Sequence, residues 1–306
     1  MVKIHKYSGA GNTFVVLDGR TEDVSEFRTP DRIKALCAQY GTDGLMILSN
    51  SPVEPGLSPV MPDLIGHLPL DFSMEFFNPD GTGGMMCGNG GRCIVAFADS
   101  LGIRPASGSE YRFLAPDGPH VAEILARGGG RLTMRLKMID VHEFYPVLDG
   151  WFVNTGTRHF VKFVPDADAV DVDTEGRRLR WDEAFSPVGA NVNFVSFDPD
   201  GALRVRTFEK GVEGETLACG TGITASSIAA YLFLREKENS FLGSENALET
   251  IFPLSPPSPQ IASFPAPSGD PVYFEIQARQ DRLSVEFTPG PDSFIDVYLT
   301  GPAEEL

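Results

Sequence analysis

"CGNGGRCIVAFADSLG", Cys87 to Gly102, is answered later in the chain by "CGTGITASSIAAYLFL", Cys219 to Leu234. Each stretch sets a thiol before a glycine-rich turn, and the two cysteines lie 219 − 87 = 132 residues apart. Past the glycines, both stretches read as helices built of apolar or small residues nearly all round. Neither opens a charged face until Asp99 and Arg235. A surface helix shows a polar side, so a helix without one is expected to be enclosed. The runs around them alternate with a period of two, as in "TFVVLDG", "GLMILSN", "DFSMEFF", "RLTMRLKMI", "HFVKFV", "LRVRTFE" and "RLSVEFTP". These are strand patterns, mainly antiparallel, separated by turns at Asp80-Gly81, Gly128–Gly130 and Asp200-Gly201. The expected fold is therefore α+β: two pseudo-symmetric domains, each a curled, mainly antiparallel β-sheet around a central buried helix. The boundary is placed near Leu136, giving residues 1–136 with Cys87 and residues 137–306 with Cys219.

A third helix is predicted over "TPDRIKALCAQYG", with Thr29 as N-cap, Pro30 at the first helical position and Gly41 as the stop. Residues 51–69 and 253–271 are dense in proline, which feeds neither a sheet ladder nor a helix, so both read as surface insertions. Cys37 and Cys93 fall inside helical patterns and are expected in the core.

At 306 residues, with 42% hydrophobic and 22% charged side chains, the chain has the composition of a globular protein of about two domains. The net charge of −17 argues against nucleic acid or an anionic membrane as partner, since both are polyanions. The opening "MVKIHKYSGAGNTF" lacks the apolar core of a signal peptide, and four cysteines do not make a disulfide framework. The expectation is a cytoplasmic protein with reduced thiols. No Cys/His spacing suits zinc, so no metal site is expected.

A cysteine at the mouth of a helix sits where unpaired N–H groups and the positive dipole end favour thiolate. The same N–H groups can hold a carboxylate, and glycine lets the backbone come close to it. One such thiol by itself is a weak signal, and a cysteine before a turn is more often packing. Two of them, opening two enclosed helices, point to paired chemistry. One sulfur takes a proton from a carbon beside a bound carboxylate and the other returns one to the opposite face, without a cofactor.

These residues resemble the diaminopimelate epimerase family. The likeness rests on "YSGAGNTFVVLD", "FFNPDGTGGMMCGNGGRC", "NTGTRHFV", "GANVNFV" and "FEKGVEGETLACGTG", in that order. The resemblance implies epimerisation of LL-2,6-diaminopimelate to the meso form, independent of pyridoxal phosphate and of any cofactor, in lysine and peptidoglycan precursor synthesis. It implies Cys87 and Cys219 as the acid–base pair, with His159 assisting one thiol and Glu209 the other. Asn12, Asn78 and Asn191 would hydrogen-bond the substrate, and the backbone of Gly88, Asn89, Gly220 and Thr221 would hold its α-carboxylate. It also implies a homodimer acting on a small amino acid.

The chain departs from the family pattern where the distal end of the substrate is read. Lys210 stands in place of an arginine, which matters because a point charge does not replace a two-pronged clamp. Arg158 stands in place of a proline, with Thr157 beside it, and Thr13 replaces an aspartate. The end at "GPAEEL" reads as short of the family's last strand, the one that returns to the first domain. A racemase for another amino acid is therefore the alternative on the same fold. A dithiol redox or ligand-binding protein without catalysis is the alternative of another class.

Overall fold

The computed structural model describes residues 2–51, 69–83, 87–106, 108–241 and 269–306. The two proline-dense segments expected as insertions lie almost wholly outside the described residues. The chain divides into two compact units, Met1–Lys137 with Thr300–Leu306, and Met138–Leu299.

The first unit holds strands β1 (His5–Gly9), β2 (Asn12–Asp18), β3 (Leu45–Ser49), β4 (Phe72–Phe77), β5 (Glu110–Ala115), β6 (Gly118–Gly128) and β7 (Arg131–Lys137). Its helices are α1 (Pro30–Tyr40) and α2 (Gly88–Ser100). Pairing runs β1-β2-β3-β4-β5-β6-β7, then through the closing residues of β16 (Phe294–Glu305), and returns to β1. The ring closes through Gly301↔Met134 on one side and Tyr7↔Glu305 on the other. These eight described strands form a barrel with no open edge, and α2 packs against β1, β2, β3, β6 and β7 of it.

Two pairings in this ring are parallel, β2 with β3 and β4 with β5. A parallel pair needs a crossover, and a helix provides each one. The first crossover contains α1, which stays outside. The second contains α2, which goes inside. β2 is accordingly buried at Phe14–Asp18 on both faces, because Val15 and Leu17 meet Ile33, Leu36 and Cys37 of α1. The start of α1 follows Thr29 and its end is the left-handed Gly41, as the sequence indicates.

The second unit repeats the plan with β8 (Phe144–Val147), β9 (Gly150–Asn154), β10 (Arg158–Phe163), β11 (Asn191–Phe197), β12 (Leu203–Glu209), β13 (Gly214–Thr216), β14 (Val272–Gln277) and β15 (Arg282–Pro289). The order is β8-β9-β10-β11-β12-β14-β15 and then the opening residues of β16, with β13 hanging on β12. A bridge from Val141 to Phe294 joins the two ends of this curl. There are again two parallel pairs, here third and fifth in the order, β10 with β11 and β12 with β14. Their crossovers contain α3 (Val172–Arg180) and α4 (Gly220–Phe241). α3 covers the outer face through Val172 and Leu179 against Phe160, Val192, Phe194 and Phe208. α4 takes the place of α2, packed against β9, β10, β11, β12 and β15.

Two sequence expectations are corrected here. Residues 300–306, assigned to the second domain, belong with the first, because their backbone hydrogen bonds go to β7 and β1. The returning strand thought to be missing is β16 itself. Each unit also carries two parallel pairings within its mainly antiparallel sheet. Among the described residues, no helix is long and apolar enough to cross a membrane.

Candidate active site

Cys87 and Cys219 occupy matching positions. Each stands immediately before its central helix, and each carbonyl accepts the first helical hydrogen bond. Gly91 N–H donates to Cys87 at 2.7 Å and Ile223 N–H to Cys219 at 2.8 Å. Both residues are half-buried, and neither is in a disulfide. The opening amides of the two helices, including Gly88 and Asn89 in one and Gly220 and Thr221 in the other, have no carbonyl four residues back within the helix to bond. That end also carries the positive pole of the helix dipole, so each sulfur stands beside a place suited to a carboxylate.

Around Cys87 the sequence indicates Asn12, Asn78, Gly88 and Asn89. Asn12 and Asn89 meet: the Asn89 Nδ2 amide donates to Asn12 Oδ1 at 2.7 Å. The chain of donors extends both ways. Arg92 Nη2 donates to Asn89 Oδ1 at 2.6 Å, and Asn12 Nδ2 donates to Asp43 Oδ2 at 3.3 Å. Arg92 is fully buried and also donates to the carbonyls of Gly88 and Pro302. Asn78 stands apart from this chain, in the turn after β4, where its side chain donates to Thr82 Oγ1 at 3.0 Å.

Gly9 of β1 passes so near α2 that a Cβ there would come to 2.7 Å from the Asn89 carbonyl oxygen and 2.9 Å from Cys93 Sγ. Cys93 and Cys37 are core residues, as expected, and burial pushes both thiols up from their ordinary range.

Around Cys219 three sequence-indicated residues come together. Thr221 Oγ1 lies 3.4 Å from Cys219 Sγ, 3.0 Å from His159 Nε2 and 3.1 Å from Thr157 Oγ1. Thr157 Oγ1 is itself 2.8 Å from His159 Nε2. His159 is fully buried, and desolvation pushes its pKa down to about 3, so the ring is neutral at ordinary pH. It reaches the sulfur through hydroxyls and carries no charge to it.

Asn191 joins Arg158 to Lys210. Its Nδ2 donates to the Arg158 carbonyl at 3.0 Å, and its Oδ1 accepts from the Lys210 N–H at 2.8 Å. The Arg158 guanidinium lies over the Phe152 ring at 5.3 Å, with Nη1 3.4 Å from the Phe185 carbonyl oxygen. Lys210 is exposed, and Glu209 is half-buried at the end of β12.

Asn193, Asp43, Arg92 and Thr155, whose Oγ1 donates to the Thr221 carbonyl at 3.0 Å, are not among the residues the sequence indicates. Asn193 was within reach of that reading, because it stands two residues after Asn191 on one strand and so shares its face. Arg92 is a charge set among the small and apolar residues of the first turns of α2, which is a signal in itself. Asp43 and Thr155 carry no pattern that marks them.

A family model described as diaminopimelate epimerase matches residues 151–244. A diaminopimelate epimerase of Flavobacterium psychrophilum is 31% identical over 99% of this chain and 97% of its own length. That of Chlorobaculum tepidum is 39% identical over 73% of this chain and 81% of its own. Among solved structures, a Bacillus anthracis phenazine biosynthesis protein of the PhzF family aligns with TM-score 0.62 at 12% identity, over 99% of this chain and 96% of that one. A probable proline racemase from Agrobacterium radiobacter aligns with TM-score 0.60 at 16% identity, over 99% and 90%. At such identities these two speak for the fold alone. The full-length relatives speak for more: the chain belongs to the diaminopimelate epimerase family and is an isomerase.

Proposed function

We propose that the protein interconverts LL- and meso-2,6-diaminopimelate without a cofactor, with Cys87 and Cys219 as the two proton carriers. The observation that carries this reading is the matched setting of the two thiols, each at the head of the central helix of its unit. In the forward step one sulfur, as thiolate, takes the α-proton and becomes a thiol. The electron pair left on carbon is delocalised into the α-carboxylate, which helix-start amides such as those of Gly88, Asn89, Gly220 and Thr221 are suited to hold. The other sulfur, as thiol, gives its proton to the opposite face and becomes the thiolate. The sulfurs end with their roles exchanged, so the reverse reaction needs no reset. Thr221 and His159 serve Cys219, and Glu209 is the carboxylate available to adjust a sulfur's protonation. Asn12, Asn78 and Asn191 help to frame the substrate. A homodimer in the cytoplasm making a lysine and cell-wall precursor is the setting this reading implies.

A second reading, a racemase for another amino acid, is kept because Lys210 replaces a guanidinium and Arg158 already rests on Phe152 and the Phe185 carbonyl. Incubation with LL-diaminopimelate in deuterated water, followed by NMR, tests both. The expected result is deuterium at one α-carbon together with appearance of the meso isomer. Diaminopimelate left untouched while another amino acid racemises would replace the first reading with the second.

A further inference from the structure

The polar cluster behind Cys219 has a direction, and one buried amide sets it. Asn193 is fully buried on β11, and its Nδ2 lies 3.3 Å from the Phe160 carbonyl oxygen and 3.1 Å from His159 Nδ1. A carbonyl oxygen only accepts, so the side of the amide facing Phe160 must be the NH2 side. Thr207 Oγ1 donates to Asn193 Oδ1 at 2.9 Å, which agrees with that orientation. The same NH2 faces His159 Nδ1, which must then accept. A neutral imidazole carries one proton, so it sits on Nε2.

From Nε2 the proton can point only outward along the cluster. It meets Thr157 Oγ1 at 2.8 Å and Thr221 Oγ1 at 3.0 Å, and both hydroxyls serve it as acceptors. Each hydroxyl has one hydrogen of its own to place. Thr157 donates to Thr221, and Thr221, having accepted, directs its hydrogen to Cys219 Sγ at 3.4 Å. The backbone accommodates the arrangement: a Cβ on Gly222 would come to 2.4 Å from Asn193 Oδ1 and 3.3 Å from His159 Cε1. The glycine after Thr221 lets this amide and this ring lie directly beneath the start of α4.

We propose that Asn193 is a positioning residue: by holding the His159 proton on Nε2 it makes Thr221 a donor to the Cys219 sulfur and so favours the thiolate there. The inference deepens the proposed reaction and rests on it for its significance, but its test needs no substrate.

The first measurement uses the unaltered protein. The 15N shifts of His159 should show a neutral ring protonated at Nε2; protonation at Nδ1, or an imidazolium at neutral pH, would overturn the proposal. The second is peptide-resolved alkylation by iodoacetamide across pH, comparing the unaltered chain with Asn193→Asp. The introduced carboxylate accepts from Nδ1–H, moves the ring proton, and turns both hydroxyls back toward Nε2. The Cys219 profile should shift upward, with alkylation at neutral pH about tenfold slower, the equivalent of one pKa unit. The Cys87 peptide, from the other unit, should alkylate as before. A folded variant with an unchanged Cys219 profile would refute the role. If both measurements come out as expected and diaminopimelate is still not turned over, the substrate assignment fails and the positioning role stands.

Discussion

Burial holds the His159 imidazole neutral down to about pH 3, so it contributes hydrogen-bond direction to its site and not a base of its own. Two outcomes follow at this scale. The pH profile of turnover should have its limbs set by the thiols, with no limb from His159. Thr221→Val, which keeps the backbone N–H but removes the hydroxyl, should lower kcat by roughly ten- to a hundredfold, up to the lower end of acid–base contributions because the hydroxyl acts through the sulfur, and leave KM nearly unchanged. Steady-state kinetics reads both, and a pure KM effect would contradict the relay. Cys87→Ala or Cys219→Ala should each remove turnover to near background, because a two-carrier inversion has no partial form.

His159 also links stability to pH. Its folded pKa lies below the ordinary 6.5, so below that value the unfolded chain binds a proton that the native ring refuses. Stability present above pH 6.5 should be lost as pH falls toward 3, by up to about 1.4 kcal/mol per pH unit. Urea titrations of the protein and of His159→Asn across that window check it: the variant's curve should be flatter. Much of this site was legible before the fold was known, since the thiols and His159 lie in quoted motifs. Asn193 too lies in one of those motifs and on the Asn191 face, but its partners Phe160 and His159 stand across a parallel pair, a relation that strand periodicity does not reveal.

At the scale of elements, each parallel pair needs a helical crossover, and the apolar coverage of that helix marks whether it is the enclosed one. α2 and α4 could be read as buried because their apolar residues cover all sides. α3 escaped notice because it has nine residues, several of them charged, and a glycine at position 176. That glycine is where Phe208 packs, with a Cβ there only 2.4 Å from the Phe208 Cβ. Close approach is also the argument at Gly9. Gly9→Ala should press on the Asn89 carbonyl and Cys93 and destabilise the first unit by about 1–3 kcal/mol. Chemical denaturation measures this. An unchanged midpoint would mean that α2 can move aside, which its buried Arg92 contacts argue against. Phe97, fully buried on α2 and edge-on to Tyr7 at 5.7 Å, should cost about 3–5 kcal/mol on substitution by alanine.

Across the whole molecule, β16 is the element the sequence most misled on. Its last residues, "GPAEEL", look like a bare chain end, with little of the alternation that marks a strand. Their pairing comes from partners more than 160 residues upstream, as in Gly301↔Met134 and Tyr7↔Glu305. Removing residues 300–306 should open the first ring. Hydrogen exchange should then show lost protection at Tyr7, Ser8 and Arg131–Met134, and retained protection in β10 and β11. Equal protection with and without these residues would show that the ring does not depend on them.

The position of that strand also bears on how the protein is made. Residues 1–137 are made before residues 300–305, yet their ring lacks a stave until those residues have been translated. Until then β1 and β7 each expose an unsatisfied edge, the kind of surface that invites pairing with a neighbouring nascent chain. The first unit is thus made before the strand that closes its ring, and a chain terminated before residue 300 would leave β1 and β7 of that unit without their shared partner.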